Sequence, residues 1–130
     1  MSRKISKPTE AELEILQILW AKGPSTVRAV NEELNEKREV GYTTTLKIMQ
    51  IMADKGLAIR NTESRTHIYE AGVKESDTQQ RLLKNFVDAA FRGSAMDLVM
   101  QALGNHNASE EELEKIKALI QQIEEKNKED

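Results

Sequence analysis

The side chains in this sequence best suited to chemistry are hydroxyls, amides and cations, not nucleophiles or metal ligands. There is no cysteine, which excludes disulfides and thiolate metal sites. The two histidines, His67 and His106, are too far apart in the chain to point to a metal site. No nucleophile motif or phosphate-cradling glycine loop occurs, so no catalytic activity, cofactor or metal is expected. The run Glu110-Glu111-Glu112 suits a helix N-terminus, where the helix dipole favours negative charge. What remains is a polar set at spacings of three and four: Thr43, Thr44, Lys47 and Gln50. A threonine hydroxyl donates or accepts while its methyl packs on thymine, glutamine matches an adenine edge, and lysine matches guanine or a phosphate. That is the chemistry of reading base pairs. Such a stripe is also what any solvated helix face looks like, so the elements that carry it must decide.

Those elements can be read from cap residues and periodicity. Thr9 followed by Glu12 forms a capping box, and Leu13, Leu16 and Trp20 share a face widened by Ile15, Ile18 and Leu19. Gly23-Pro24 ends that helix. Ser25 or Thr26 caps a second, with Val27, Val30 and Leu34 inward and Arg28, Asn31 and Glu32 outward. After a polar connection from Asn35 to Gly41, a third helix runs from near Thr43 to Gly56, a C-terminal glycine. At 100° per residue Thr43, Lys47, Gln50 and Asp54 form one stripe, and Thr45, Ile48, Met49, Met52 and Ala53 form the apolar side. Leu57 to Arg60 and Arg65 to Glu70 have strand character, with a hairpin tip near Glu63-Ser64-Arg65.

Helix, helix, turn, helix, hairpin is the order of a winged helix-turn-helix, in which the third helix enters the major groove. The expected fold is mostly α with a small β-hairpin wing. It divides into a DNA-binding domain over residues 1–75 and a helical dimerisation arm over 76–130. Asp54 would repel phosphates, so only the N-terminal half of the third helix is expected to approach DNA. Lys55, Arg65, Arg3 and Lys4 are the expected phosphate contacts, and Thr26 is a further expected DNA contact.

In the arm, Leu82, Leu83, Phe86, Val87, Ala90 and Phe91 repeat helically. Ser94 with Asp97 caps a helix carrying Leu98, Val99 and Leu103, and Ser109 with Glu112 caps one carrying Leu113, Ile116, Leu119, Ile120 and Ile123. The charged end from Glu124 to Asp130 is expected to fray. So many apolar stripes cannot all hide against a module of some 70 residues. They bury each other across a twofold axis, or fold back within a monomer; the dimer explains more. Leu82, Leu83, Phe86, Phe91, Leu98, Val99, Leu103, Leu113, Ile116, Ile120 and Ile123 are the expected contacts.

Charge is less decisive. The 130 residues carry a net −3, but residues 1–75 hold 12 Lys/Arg against 11 Asp/Glu and residues 76–130 hold 7 against 11. The near-neutral N-terminal part leaves room for a second reading, a winged-helix adaptor that binds protein and not DNA. Phosphate contacts come from local clusters, so net charge does not exclude DNA. No apolar run approaches the roughly 20 residues of a membrane span, and the basic stretch Met1 to Lys7 lacks the apolar segment of a signal peptide. A soluble, cytoplasmic protein is expected.

Several stretches, in order, are similar to one known family. Pro8-Thr9-Glu10-Ala11-Glu12-Leu13-Glu14-Ile15-Leu16 with Trp20, Gly41-Tyr42-Thr43-Thr44-Thr45-Leu46, Met52-Ala53-Asp54-Lys55-Gly56-Leu57, Arg65-Thr66-His67-Ile68-Tyr69-Glu70-Ala71, and Phe91-Arg92-Gly93-Ser94-Ala95 with Leu98-Val99 and Ala102-Leu103 resemble the penicillinase-repressor family. The resemblance implies a cytosolic dimeric repressor on a dyad-symmetric operator. In the penicillinase branch it also implies a membrane sensor-protease that triggers cleavage between an Asn and a Phe in the arm. The matching place here, around Met100-Gln101-Ala102, has neither residue, and the sequence's one Asn-Phe pair is Asn85-Phe86 in an earlier helix. The cysteines of the family's copper-sensing branch are absent, which excludes copper-thiolate sensing.

Overall fold

A computed structural model describes residues 7–105 and 108–129. The elements follow the order α1 (Glu10–Lys22), β1 (Ser25–Thr26), α2 (Val27–Asn35), α3 (Tyr42–Lys55), β2 (Ala58–Asn61), β3 (Ile68–Ala71), α4 (Glu75–Phe91), α5 (Ala95–Asn105) and α6 (Glu110–Glu129). Two compact units result, divided between Leu82 and Leu83.

Local chemistry sets the ends of the helices. At the start of α1 the Thr9 hydroxyl accepts from the Glu12 amide (3.2 Å), and the Glu12 carboxylate accepts from the Thr9 amide (2.9 Å). Thr26 caps α2 by accepting from the Ala29 amide. Gly56 ends α3 in the left-handed region, at φ 85°, which glycine enters without a Cβ penalty.

The first unit closes around a core in which Ile15, Leu16, Leu19, Val30, Met49, Met52, Leu57 and Tyr69 are buried. Its sheet has the order β1-β3-β2, all antiparallel. Ala58 faces Ala71 and Asn61 faces Ile68 across the wing, while Thr26 pairs with Ile68 from the other side. β3 is shorter than the sequence implies, running Ile68–Ala71 where the strand character begins at Arg65. Asn61 accepts from the Glu63 amide and Ser64 donates to the Thr66 carbonyl, which ties residues 62–67 into a loop. Gly72 is held tightly: a Cβ there would come 2.5 Å from the Gly56 carbonyl oxygen. The Trp20 indole donates to the Val73 carbonyl at 3.0 Å, linking α1 to the chain beyond the wing.

The second unit consists of the rest of α4 with α5 and α6. A turn with positive φ at Arg92 (52°) and Gly93 (83°) separates α4 from α5. Ser94 and Ser109 accept from the Asp97 and Glu112 amides, as their spacing predicts. The helix α6 continues to Glu129 instead of fraying from Glu124. Its last turn carries Lys126 and Lys128, which suit the negative end of the helix dipole. Among the described residues, Val87 is the one buried hydrophobic side chain of this unit. Phe86 and Phe91 meet edge to face, centroids 5.8 Å apart. No helix of the described residues is long and apolar enough to cross a membrane.

Candidate nucleic-acid interface

The helix α3 has one face in the core and the other in solvent. Thr45, Met49 and Met52 are buried, whereas Thr43, Thr44, Lys47, Gln50 and Asp54 are exposed. The side chains of Thr43, Thr44, Lys47 and Gln50 make no hydrogen bond or ion pair among the described residues, so their donors and acceptors are available.

Polar contacts on the inner side fix how this face is presented. Asn31 lies on the side of α2 assigned to solvent from sequence, yet it turns inward. Its amide donates to the Thr45 hydroxyl (2.8 Å) and to the Val40 carbonyl (3.0 Å). Asn35 accepts from the Val40 amide and donates to the Val40 carbonyl. The turn before α3 is thereby clamped, and Thr45 is satisfied although fully buried. The reason lies at the α2–α3 junction, where Val40 and Thr45 leave polar groups that would otherwise be buried without partners.

At the other end of α3, Lys55 donates to both oxygens of Glu12, at 2.9 and 3.1 Å. Glu12 is only 4% exposed at its side chain and Lys55 33%. Burial pushes the Glu12 carboxyl up, but the Thr9 amide and the Lys55 ammonium outweigh that and hold it below its ordinary value. Lys55, expected from sequence to be a phosphate contact, therefore has its ammonium turned to α1. Arg38 and Glu14 pair at 2.6 Å between the α2–α3 turn and α1, and Lys22 pairs with Glu33 between α1 and α2.

Thr26 and Arg65, two of the expected DNA contacts, border a single groove of about 610 Å³. Sequence reasoning did not assign three others that line it, Arg28, Tyr42 and His67. The signal was present: Arg28 and Tyr42 lie in the first turns of α2 and α3, and His67 directly precedes the residue paired with Thr26. Arg3 and Lys4 lie outside the described residues.

In the arm, Leu83, Phe86, Val99, Leu103, Leu113, Ile120 and Ile123 are exposed, and Leu82, Phe91, Leu98 and Ile116 are half-buried. No group of acidic or imidazole side chains able to hold a metal occurs among the described residues.

A family model described as the penicillinase repressor matches residues 8–122. Over 120 residues the chain is 24% identical to a methicillin resistance regulatory protein MecI of Mammaliicoccus sciuri, a match covering 92% of this chain and 98% of that protein. Over 127 residues it is 23% identical to a penicillinase repressor of Bacillus licheniformis, covering 98% and 99%. Among solved structures, the DNA-binding domain of the repressor BlaI is similar, with a TM-score of 0.51 and 25% identity. That similarity covers 58% of this chain and 93% of the domain.

Proposed function

The chain belongs to the penicillinase repressor family, and from that membership we propose that it is a transcriptional repressor that binds a dyad-symmetric DNA operator as a homodimer. The observation that carries the reading is α3. Its inner face is fixed by the core and by Asn31, and its outer face presents Thr43, Thr44, Lys47 and Gln50 with their hydrogen-bonding groups free. An α-helix so mounted fits the major groove, where base edges differ.

Residues 1–75 serve as the DNA-binding domain and 76–130 as the arm. The exposed apolar side chains of α4, α5 and α6 support self-association through that arm. One module makes few base contacts, and linking two raises the effective concentration of the second. Two recognition helices would then lie about 34–36 Å apart, or a multiple of that, and read inverted half-sites. Separation of the subunits would release the operator. The protein acts in the cytoplasm, where its DNA is.

A membrane sensor-protease is the partner that family membership supports. The Asn85–Phe86 bond lies inside α4, and Met100 to Ala102 lie inside α5. A protease that needs extended backbone would have to unwind a helix at either place.

Titration with random-sequence duplex at two salt concentrations tests the DNA reading. Steep salt-dependent binding is expected. No binding at either concentration would overturn the repressor reading in favour of a protein-binding adaptor.

A further inference from the structure

We propose that the groove between α2, α3 and the wing is a DNA-phosphate subsite in which His67, once protonated, adds an ionic contact to those of Arg28 and Arg65. The inference rests on the repressor reading and deepens it. Pairing of Thr26 with Ile68 brings the wing against the start of α2, and His67 is the next residue out from that pair. Arg28, Tyr42, Arg65, Thr66 and His67 all line the groove and all are exposed.

The polar groups that share the groove with His67 come from several elements. Arg28 is on α2, Tyr42 on α3, Arg65 and Thr66 on its own loop, and the buried Tyr69 on β3. No carboxylate lines the groove among the described residues. A phosphate seated in the groove would supply an anion for protonated His67 to pair with. Tyr42 and Thr66 add neutral hydroxyl donors, which suit phosphate oxygens. None of Thr43, Thr44, Lys47 or Gln50 lines this groove, so the subsite is separate from the reading face and indifferent to base sequence. An imidazole changes charge between about pH 5 and 8. DNA binding is therefore coupled to uptake of a proton by His67, and affinity rises as pH falls through that range.

The test uses the full chain and a short random-sequence duplex, with affinity measured against salt at pH 6 and pH 8. The salt slope should be steeper at pH 6, by up to about one unit for one additional phosphate neutralised. His67→Gln should remove the difference, and His106→Gln should keep it. Arg28→Ala should lower the slope by about one unit at both pH values, which tests the groove even if the His67 variant folds poorly. Equal wild-type slopes at both pH values, a pH difference that survives His67→Gln, or an unchanged slope in Arg28→Ala would each overturn the subsite while leaving salt-dependent DNA binding intact. Absence of salt-dependent binding altogether would overturn both the subsite and the repressor reading.

Discussion

The two units of this chain treat apolar side chains in opposite ways. In the unit ending at Leu82, twelve hydrophobic residues from α1, α2, α3, the strands and their connections are buried together. In the unit beginning at Leu83, Val87 alone is buried among the described residues, while Phe86, Val99, Leu119, Ile120 and Ile123 are each about half exposed. The first unit is finished within one chain, and its polar groups can be spent on an outside ligand. The second leaves apolar surface of the kind that marks a protein interface. A repressor needs both: a self-contained reading head and an arm that is incomplete alone.

Paired core and arm substitutions should break this contrast if it is wrong. Leu16→Ala should lower the unfolding free energy by about 3–5 kcal/mol, equally at every protein concentration. Ile120→Ala should leave the unfolding of the N-terminal unit unchanged and weaken self-association, read by sedimentation equilibrium. A concentration-dependent effect at Leu16, or an unchanged dimer constant at Ile120, would remove the contrast.

The next effect concerns how α3 is anchored. Lys55→Met leaves the buried Glu12 carboxylate without its cation. The cost should be about 2–3 kcal/mol, below the range of about 3–5 for fully buried pairs because Lys55 is one-third exposed. Glu12 titrates below its ordinary value of 4.5 in the folded chain. Its contribution is therefore fully present above that value and is lost as pH falls through the lower, folded value. Urea unfolding between pH 7 and pH 3 should show this acid loss in the wild type and a smaller one in Lys55→Met. Identical pH profiles would detach Glu12 from the anchoring of α3.

Smaller effects sharpen the reading head alone. Lys47→Ala should cost about 1–3 kcal/mol of operator affinity if it contacts a base, with no change in unfolding. Arg65→Ala should reduce the salt slope by about one unit and leave base preference intact. An Arg65→Ala slope equal to the wild type would leave the wing tip in solvent.

Much of this was legible in sequence because it is local. The Thr9–Glu12 capping box, the left-handed Gly56 and the phase of α3 each depend on residues within one or two turns. What was not legible depends on distant partners. Ser25 and Thr26 read as cap residues, and Thr26 also as a DNA contact, yet they form a strand whose partners, Tyr69 and Ile68, are more than forty positions away. Asn31 falls on the solvent side by helical phase, but the carbonyl of Val40 and the hydroxyl of Thr45 draw its amide inward. Lys55 looks like a free cation until Glu12 is found beside it. Arg28, Tyr42 and His67 come from three separate segments, and only the fold brings them to one groove.

A dimeric repressor joins a reading helix to a paired arm, and the DNA sequences bound by the full chain test both at once. Fragments recovered from genomic DNA on the protein should share two inverted half-sites with centres about 10 base pairs apart or a multiple of that, and Gln50→Ala should relax the preference at matching positions in both halves. Recovered fragments with no shared sequence, or with a single unpaired half-site, would contradict the account.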